Sequence, residues 1–216
     1  MCGIAGAFFI ADDHAVERFA AQAGGLLAHR GPDDEGRLDL PEGVLVHRRL
    51  SILDPTPAGN QPFASADGRF RIIHNGEIYN YLELREELRE RGYVFRTDTD
   101  TEVILAALAE WDIGGIERFN GIWAFAVWDT VARRLILSRD RLGVKPMYLF
   151  RSGGGLAFAS EMKALAPLSG SVDPNVSAIR DYLWRGWTDH SDATFDRRIE
   201  PLPPATTLVL DEAGER

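Results

Sequence analysis

With 216 residues, 45% of them apolar, the chain is long enough to bury a sizeable core and fits one domain of ordinary size. A formal charge of −9, with the arginines scattered among carboxylates, argues against nucleic acid as a partner. The single cysteine allows no internal disulfide and points to a reducing, cytoplasmic setting, and the short apolar opening without a basic leader reads as neither signal peptide nor membrane anchor.

In chain order, IAGAFF reads as a strand, and Val16, Phe19, Ala20, Ala23, Leu26 and Leu27 recur at helical spacing, with Gly24 and Gly25 weakening the helix late in its course. RGPDDEG breaks that helix. GVLVHRRLSIL and RFRIIHN read as buried strands, while YLELREELRERG and TDTDTEVILAALAEW read as helices. GIWAFAVWDTVARRLILSRD is two strands about a turn. PMYLFRSGGGLAFAS is a second hairpin leading into a short helix at EMKAL, so SGGG is a turn and not a phosphate loop. From Ser169 the chain becomes richer in Pro, Asp and polar residues and closes with LPPATTLVL, one more short strand. Hairpins interrupted by helices predict an α+β fold of antiparallel sheets covered by helices.

Cys2 follows the initiator methionine directly. Internally, such a residue is most often a small hydrophobe at a strand start. Here removal of Met1 would give it a free α-amine with a reference pKa of about 7.7–8.0, able to act as base for its own thiol, whose reference value is about 8.5. A nucleophile served by the chain's own N-terminus is an established arrangement for acyl transfer.

MCGIAG, HRGPDDEG, HRRLSILD, NQPF, HNGEIYNY, TDTE, FNGIWAFAVWD, SRDRLGVKPMY and FASEMKAL occur in this order over nearly the whole chain. Together they resemble the class II glutamine amidotransferase domain, an N-terminal-nucleophile hydrolase, and most closely the glutaminase domain of glutamine-hydrolysing asparagine synthetases. The resemblance implies a four-layer αββα fold with two stacked, mainly antiparallel sheets.

It also implies roles for particular residues. Cys2 is the nucleophile. Asn75 and Gly76 supply a side-chain amide and a backbone N–H to the oxyanion, and glycine permits the close approach such a hole requires. Asn75-Gly76 is also a hairpin signal, although the helical pattern that follows gives it little support. Arg49 holds the α-carboxylate of glutamine, for which its planar fork is suited, while Leu50, Ser51, Ile52 and Leu53 line the same pocket and Glu77 joins them. On the spacing alone, Arg48 or Arg49 equally well snorkels to solvent. Asp100 receives the α-ammonium, with Asp98 as its competitor, and Thr99 with Glu102 forms a capping box at the helix start. RGPDDEG is given a structural role near the thiol.

The implied activity is hydrolysis of L-glutamine to glutamate and ammonia through a Cys2 thioester. Nitrogen then passes to an ATP-dependent synthetase domain or subunit. Residues 1–200 are expected to form the glutaminase domain and 201–216 a terminal strand and the start of a linker toward that domain. No cofactor is expected for glutamine hydrolysis, ATP and magnesium belonging to the synthetase half, and the five histidines show no metal-ligand spacing. GIWAFAVWD and PMYLF are candidates for facing the partner domain, though their pattern suits core strands better, and a homo-oligomer is compatible with the family. The competing reading is a catalytically silent domain of the same fold acting as an interaction or scaffolding element. The joint presence of Cys2 and the pocket residues weighs against it.

Overall fold

Glycine and alanine let β1 (Gly3–Phe8) lie buried in the middle of a sheet: a Cβ on Gly6 would stand 2.5 Å from the Phe158 ring. The computed structural model describes residues 1–188 and 190–216. β1 is followed by α1 (Asp13–Leu27), β2 (Asp34–Leu40), β3 (Gly43–Arg49), β4 (Phe63–Ala64) and β5 (Phe70–Ile78). Two helices come next, α2 (Tyr81–Glu90) and α3 (Asp100–Trp111), then β6 (Gly121–Asp129), β7 (Arg134–Arg139), β8 (Tyr148–Ser152) and β9 (Gly155–Ala159). α4 (Ala166–Ser169), α5 (Val176–Arg185), β10 (Ile199–Pro201), β11 (Thr207–Asp211) and β12 (Gly214–Glu215) complete the order.

Among the described residues, the strands form two six-stranded sheets, β10-β8-β9-β1-β3-β2 and β12-β11-β7-β6-β5-β4, and every pairing is antiparallel. Three apolar layers hold them. Ile4, Phe8, Leu45, Ile73, Trp128 and Phe158 meet between the sheets, where Phe8 stacks on Trp128 at 5.0 Å. Phe19, Ala23 and Leu27 of α1 pack on the outer face of the first sheet, and Leu88, Ile104 and Leu108 of α2 and α3 on that of the second. Each large side chain buried this way contributes about 1.5–3 kcal/mol. The order is helix, sheet, sheet, helix, as the resemblance implies.

Asp12 caps α1, its carboxylate accepting the Ala15 N–H at 2.9 Å. Gly24 sits where that helix meets β2, and a Cβ there would collide with the Glu35 carboxylate. SGGG is the β8–β9 turn, with Gly153 and Gly154 at φ of 59° and 87°, conformations that favour glycine. The strand in LPPATTLVL is β11, which pairs with β7 inside the second sheet.

Two alternatives left open by the sequence resolve to the favoured one, and one element was not expected. Asn75-Gly76 lies within β5, paired with Ala124 and Trp123 of β6, and turns no hairpin. GIWAFAVWD and PMYLF are interior: Trp123 through Asp129, Met147, Leu149 and Phe150 are all buried, so these segments face the core and not a partner. The polar stretch after Ser169 contains α5, of which only Ala178 is buried and from which Leu183 and Trp184 project into solvent.

Candidate active site

Along β1, Ile4 and Phe8 point between the sheets, and the same alternation carries Cys2 to the mouth of the gap between them. The thiol is half-buried against the chain leaving β3. Leu50 N–H donates to Sγ at 3.4 Å, and Sγ donates to the Leu50 carbonyl at 3.7 Å. Arg30 Nε donates to the Cys2 carbonyl at 3.0 Å, while the same guanidinium meets Glu161 at 3.0 Å. Burial pushes the thiol pKa up, against the Leu50 hydrogen bond and the charges of the N-terminal amine, Arg49 and Lys145, which favour thiolate.

Cys2 opens onto a cavity of about 200 Å³ that Arg49, Leu50, Ile52, Leu53, Asn75, Gly76, Glu77 and Asp100 also line. Nearly every residue expected at the site is therefore brought together. Ser51 is not on the cavity wall; its N–H donates to the Asp33 carboxylate at 2.7 Å, and Asp33 N–H donates to the Arg49 carbonyl at 3.0 Å. RGPDDEG thus holds the Arg49–Ser51 turn, a structural role. Gly31 belongs to the same support, accepting Arg48 Nε at 3.0 Å.

Asn75 is buried, and its Nδ2 has no hydrogen-bond partner. An unpaired buried amide is costly, and this one belongs to a residue on the same cavity as Cys2. Gly76 cannot carry a side chain: a Cβ would collide with the Ile122 carbonyl oxygen and lie 2.6 Å from Trp123 Cα. The close crossing of β6 thus dictates glycine.

Asp100 opens α3 and is buried, its Oδ2 accepting the Ile78 N–H at 2.8 Å. Asp98 instead has an exposed carboxylate that pairs with Arg85 at 3.1 Å. Burial and cavity position therefore separate the two aspartates. Thr99 caps α3 by accepting the Glu102 N–H at 3.3 Å, but the reciprocal half of the capping box is redirected. The Glu102 carboxylate accepts Thr97 N–H at 2.8 Å and Arg96 N–H at 3.0 Å, while Thr99 N–H donates to Thr97 Oγ1.

Arg49, from the end of β3, has all four terminal N–H groups turned onto the loop below it. Nη1 donates to the Thr56 carbonyl at 2.9 Å and Asn60 Oδ1 at 2.6 Å; Nη2 donates to the carbonyls of Leu53 at 3.3 Å and Asp54. A carboxylate reaching this guanidinium must exchange places with loop carbonyls. Arg48 points to the other face, toward Gly31 and Glu35.

Gln61, His74, Thr101 and Lys145 also reach the cavity, although no role was expected for them from sequence. Gln61 Oε1 accepts the His74 N–H at 2.6 Å just past the end of short β4, where the strand lacks a neighbour. His74 Nδ1 lies 3.4 Å from Thr101 Oγ1, and burial lowers the pKa of this histidine, which keeps it neutral.

The whole chain, residues 1–216, matches the family described as Glutamine amidotransferase domain. The chain belongs to this family. This glutamine amidotransferase domain is 34% identical over 218 residues to asparagine synthetase (glutamine-hydrolyzing) 1 of Bacillus subtilis (strain 168), covering all of this chain and 34% of that relative. It is 38% identical over 208 residues to asparagine synthetase B (glutamine-hydrolyzing) of Escherichia coli (strain K12), covering 91% of this chain and 37% of the relative. The chain thus spans little more than a third of the length of these relatives. In structure it is similar to glutamine phosphoribosylpyrophosphate amidotransferase of B. subtilis complexed with ADP and GMP, with a TM-score of 0.72 at 18% identity over all of this chain and 48% of that one. At that identity the likeness shows the fold, the αββα arrangement of N-terminal-nucleophile hydrolases. Among the described residues of the domain, no helix is long and apolar enough to cross a membrane.

Proposed function

We propose that this domain hydrolyses L-glutamine to glutamate and ammonia and hands the ammonia to an ATP-dependent synthetase domain of asparagine-synthetase type. The observation that carries the reading is that Cys2 and Asn75 line one cavity, and that the buried Nδ2 of Asn75 has no hydrogen-bond partner.

In this reading Met1 is removed, and the α-amine of Cys2 takes the thiol proton as sulfur attacks the side-chain carbonyl of glutamine. The S–C bond forms and the carbonyl pair moves to oxygen, where Asn75 Nδ2 and the Gly76 N–H meet it. Collapse expels the amide nitrogen, which leaves as ammonia with the proton returned by the amine. Water then attacks the thioester and the S–C bond breaks, releasing glutamate. Arg49 receives the α-carboxylate in exchange for loop carbonyls, Asp100 receives the α-ammonium, Glu77 lines the pocket, and Leu50, Ile52 and Leu53 form the apolar rim. Ser51 supports that rim through its bond to Asp33. The hydrolysis uses no cofactor; ATP and magnesium serve the synthetase half. The lone cysteine and the partner chemistry suit a cytoplasmic setting.

Purified protein is incubated with glutamine and aspartate, with and without ATP and magnesium, and glutamate, ammonia, asparagine and pyrophosphate are measured. Equal glutamate and ammonia independent of ATP are expected, and Cys2→Ala is expected to abolish both while leaving the fold intact. Turnover retained by Cys2→Ala overturns the reading.

A further inference from the structure

The segment between β7 and β8 is held by two charged side chains that contribute nothing else to the cavity. Asp140 is buried, and its carboxylate accepts four backbone N–H groups: Trp123 at 3.3 Å, Leu142 at 3.1 Å, Val144 at 3.0 Å and Lys145 at 3.0 Å. From the preceding residue, the Arg139 guanidinium donates to the carbonyls of Lys145 at 2.8 Å, Gly143 at 2.7 Å and Leu202 at 2.5 Å. Pro146 follows at once and restricts the backbone of Lys145. Both the N–H and the C=O of Lys145 are thus pinned. Such a framework orients one side chain, and the side chain it delivers into the Cys2 cavity is that of Lys145.

Among the described residues, its ammonium has no counter-ion: it meets neither a carboxylate within ion-pair distance nor a hydrogen-bond acceptor, although the residue is half-buried. The chain's other lysine, Lys163, is paired with Glu161 at 3.1 Å. A half-buried, unpaired cation on a rigid loop is arranged for an anion that is present only part of the time. The charged groups facing Cys2 are the N-terminal amine, Arg30 on its carbonyl, Arg49 from β3, and across the cavity Glu77, Asp100 and neutral His74. Arg30 and Arg49 are already committed to oxygens of the protein, which leaves Lys145 as the uncommitted side-chain cation.

We propose that Lys145 is a positioning residue for the nucleophile, a fixed cation that stabilises the Cys2 sulfur as thiolate when it attacks and when it is released again. The inference rests on the proposed glutaminase reaction. The thiol proton still passes to the α-amine, and the amine still returns it to the departing nitrogen. Lys145 keeps its own proton throughout. When water cleaves the thioester, the bonding pair goes back to sulfur, and the same charge stabilises the leaving thiolate. The effect offsets the burial that raises the thiol pKa.

The test is alkylation of Cys2 by neutral iodoacetamide as a function of pH, beside glutamine kinetics, in the mature chain and in Lys145→Met, Lys145→Gln and Lys145→Arg. Because Arg139 and Asp140 hold the Lys145 backbone and not its side chain, all three variants are expected to keep the parental Tm. The two neutral variants are expected to shift the alkylation midpoint up by about half to one pH unit and to lower kcat by about 3- to 10-fold, with KM within about twofold. Lys145→Arg is expected to stay within about threefold of the parent, since it keeps the charge. A midpoint unmoved in a folded neutral variant, with normal glutamine turnover in the parent, overturns the role of Lys145. A shifted midpoint in a parent chain that does not hydrolyse glutamine instead overturns the reaction and leaves the cation–thiolate pair standing.

Discussion

The carboxylate of Asp100 accepts the backbone N–H of Ile78 at 2.8 Å, which ties the first turn of α3 to the end of the strand carrying Asn75 and Gly76. In the proposed reaction this side chain therefore serves both the fold and the α-ammonium of glutamine. Asp100→Ala leaves a buried N–H unpaired and is expected to cost about 1–3 kcal/mol as well as raise KM for glutamine. Asp100→Asn keeps an acceptor for Ile78 but loses the charge, so it is expected to raise KM with a much smaller change in Tm. Equal Tm losses in the two variants would contradict this division.

Asn75→Ala and Gly76→Ala are adjacent changes with opposite expected signatures. Removing the unpaired Asn75 amide relieves a buried orphan, so the fold is expected to persist while kcat falls about 10²–10³-fold. Gly76→Ala drives a methyl into the Ile122 carbonyl and the Trp123 backbone, and is expected to destabilise by several kcal/mol. Thermal unfolding beside steady-state kinetics separates them. A fully stable Gly76→Ala would show that the two strands spread apart easily.

Gly59 lies against the guanidinium of Arg49, where a Cβ would collide with Nη2. Gly59→Ala is expected to displace that flexible tip from its loop carbonyls and so raise KM about 3- to 30-fold, with kcat within about twofold. Isothermal titration of glutamine into a Cys2→Ala background checks the binding part alone. Unchanged affinity would remove Arg49 from the α-carboxylate.

The buried histidines predict a pH-dependent stability. Burial drives the pKa of His47 down to about 3 from an ordinary value of 6.5, and burial also lowers that of His74. The unfolded chain therefore binds more protons below about pH 6.5, so stability is complete above that value and declines as pH falls toward 3. Each histidine contributes a slope of at most about 1.4 kcal/mol per pH unit. Urea midpoints between pH 7 and 4 measure it, and His47→Gln is expected to flatten the decline; an identical slope in that variant would contradict the assignment.

Most strands and helices are legible because their side-chain period agrees with their burial. β6 is nearly continuous apolar chain and lies in mid-sheet, and α3 shows a cap followed by an apolar run. β2 escapes notice because DEGRLDL alternates charge with half-buried positions at the sheet edge, right after a loop signal. α5 escapes because its apolar residues meet almost no core. At the site, Cys2, Arg49, Asn75, Gly76 and Asp100 are legible through ordered motifs. Lys145 lies in the motif SRDRLGVKPMY together with the Arg139 and Asp140 that hold its backbone, but the motif does not tell that their hydrogen bonds turn its side chain toward the cavity of Cys2. The turning of Arg49 onto its own loop is equally invisible, because it depends on carbonyl groups.

The pairing of β11 with β7 has a practical consequence for shortening the protein. Thr207 to Leu210 cover the backbone of Leu135 to Ser138, and β7 would otherwise be the rim of its sheet next to β6. A truncation ahead of Thr207 uncovers a flat, apolar ribbon with a free row of N–H and C=O groups, the kind of surface on which a second copy adds as a new strand. Any shorter version ending there is expected to precipitate or self-associate, and the resulting loss of activity would mimic an active-site defect while leaving the cavity chemistry untouched.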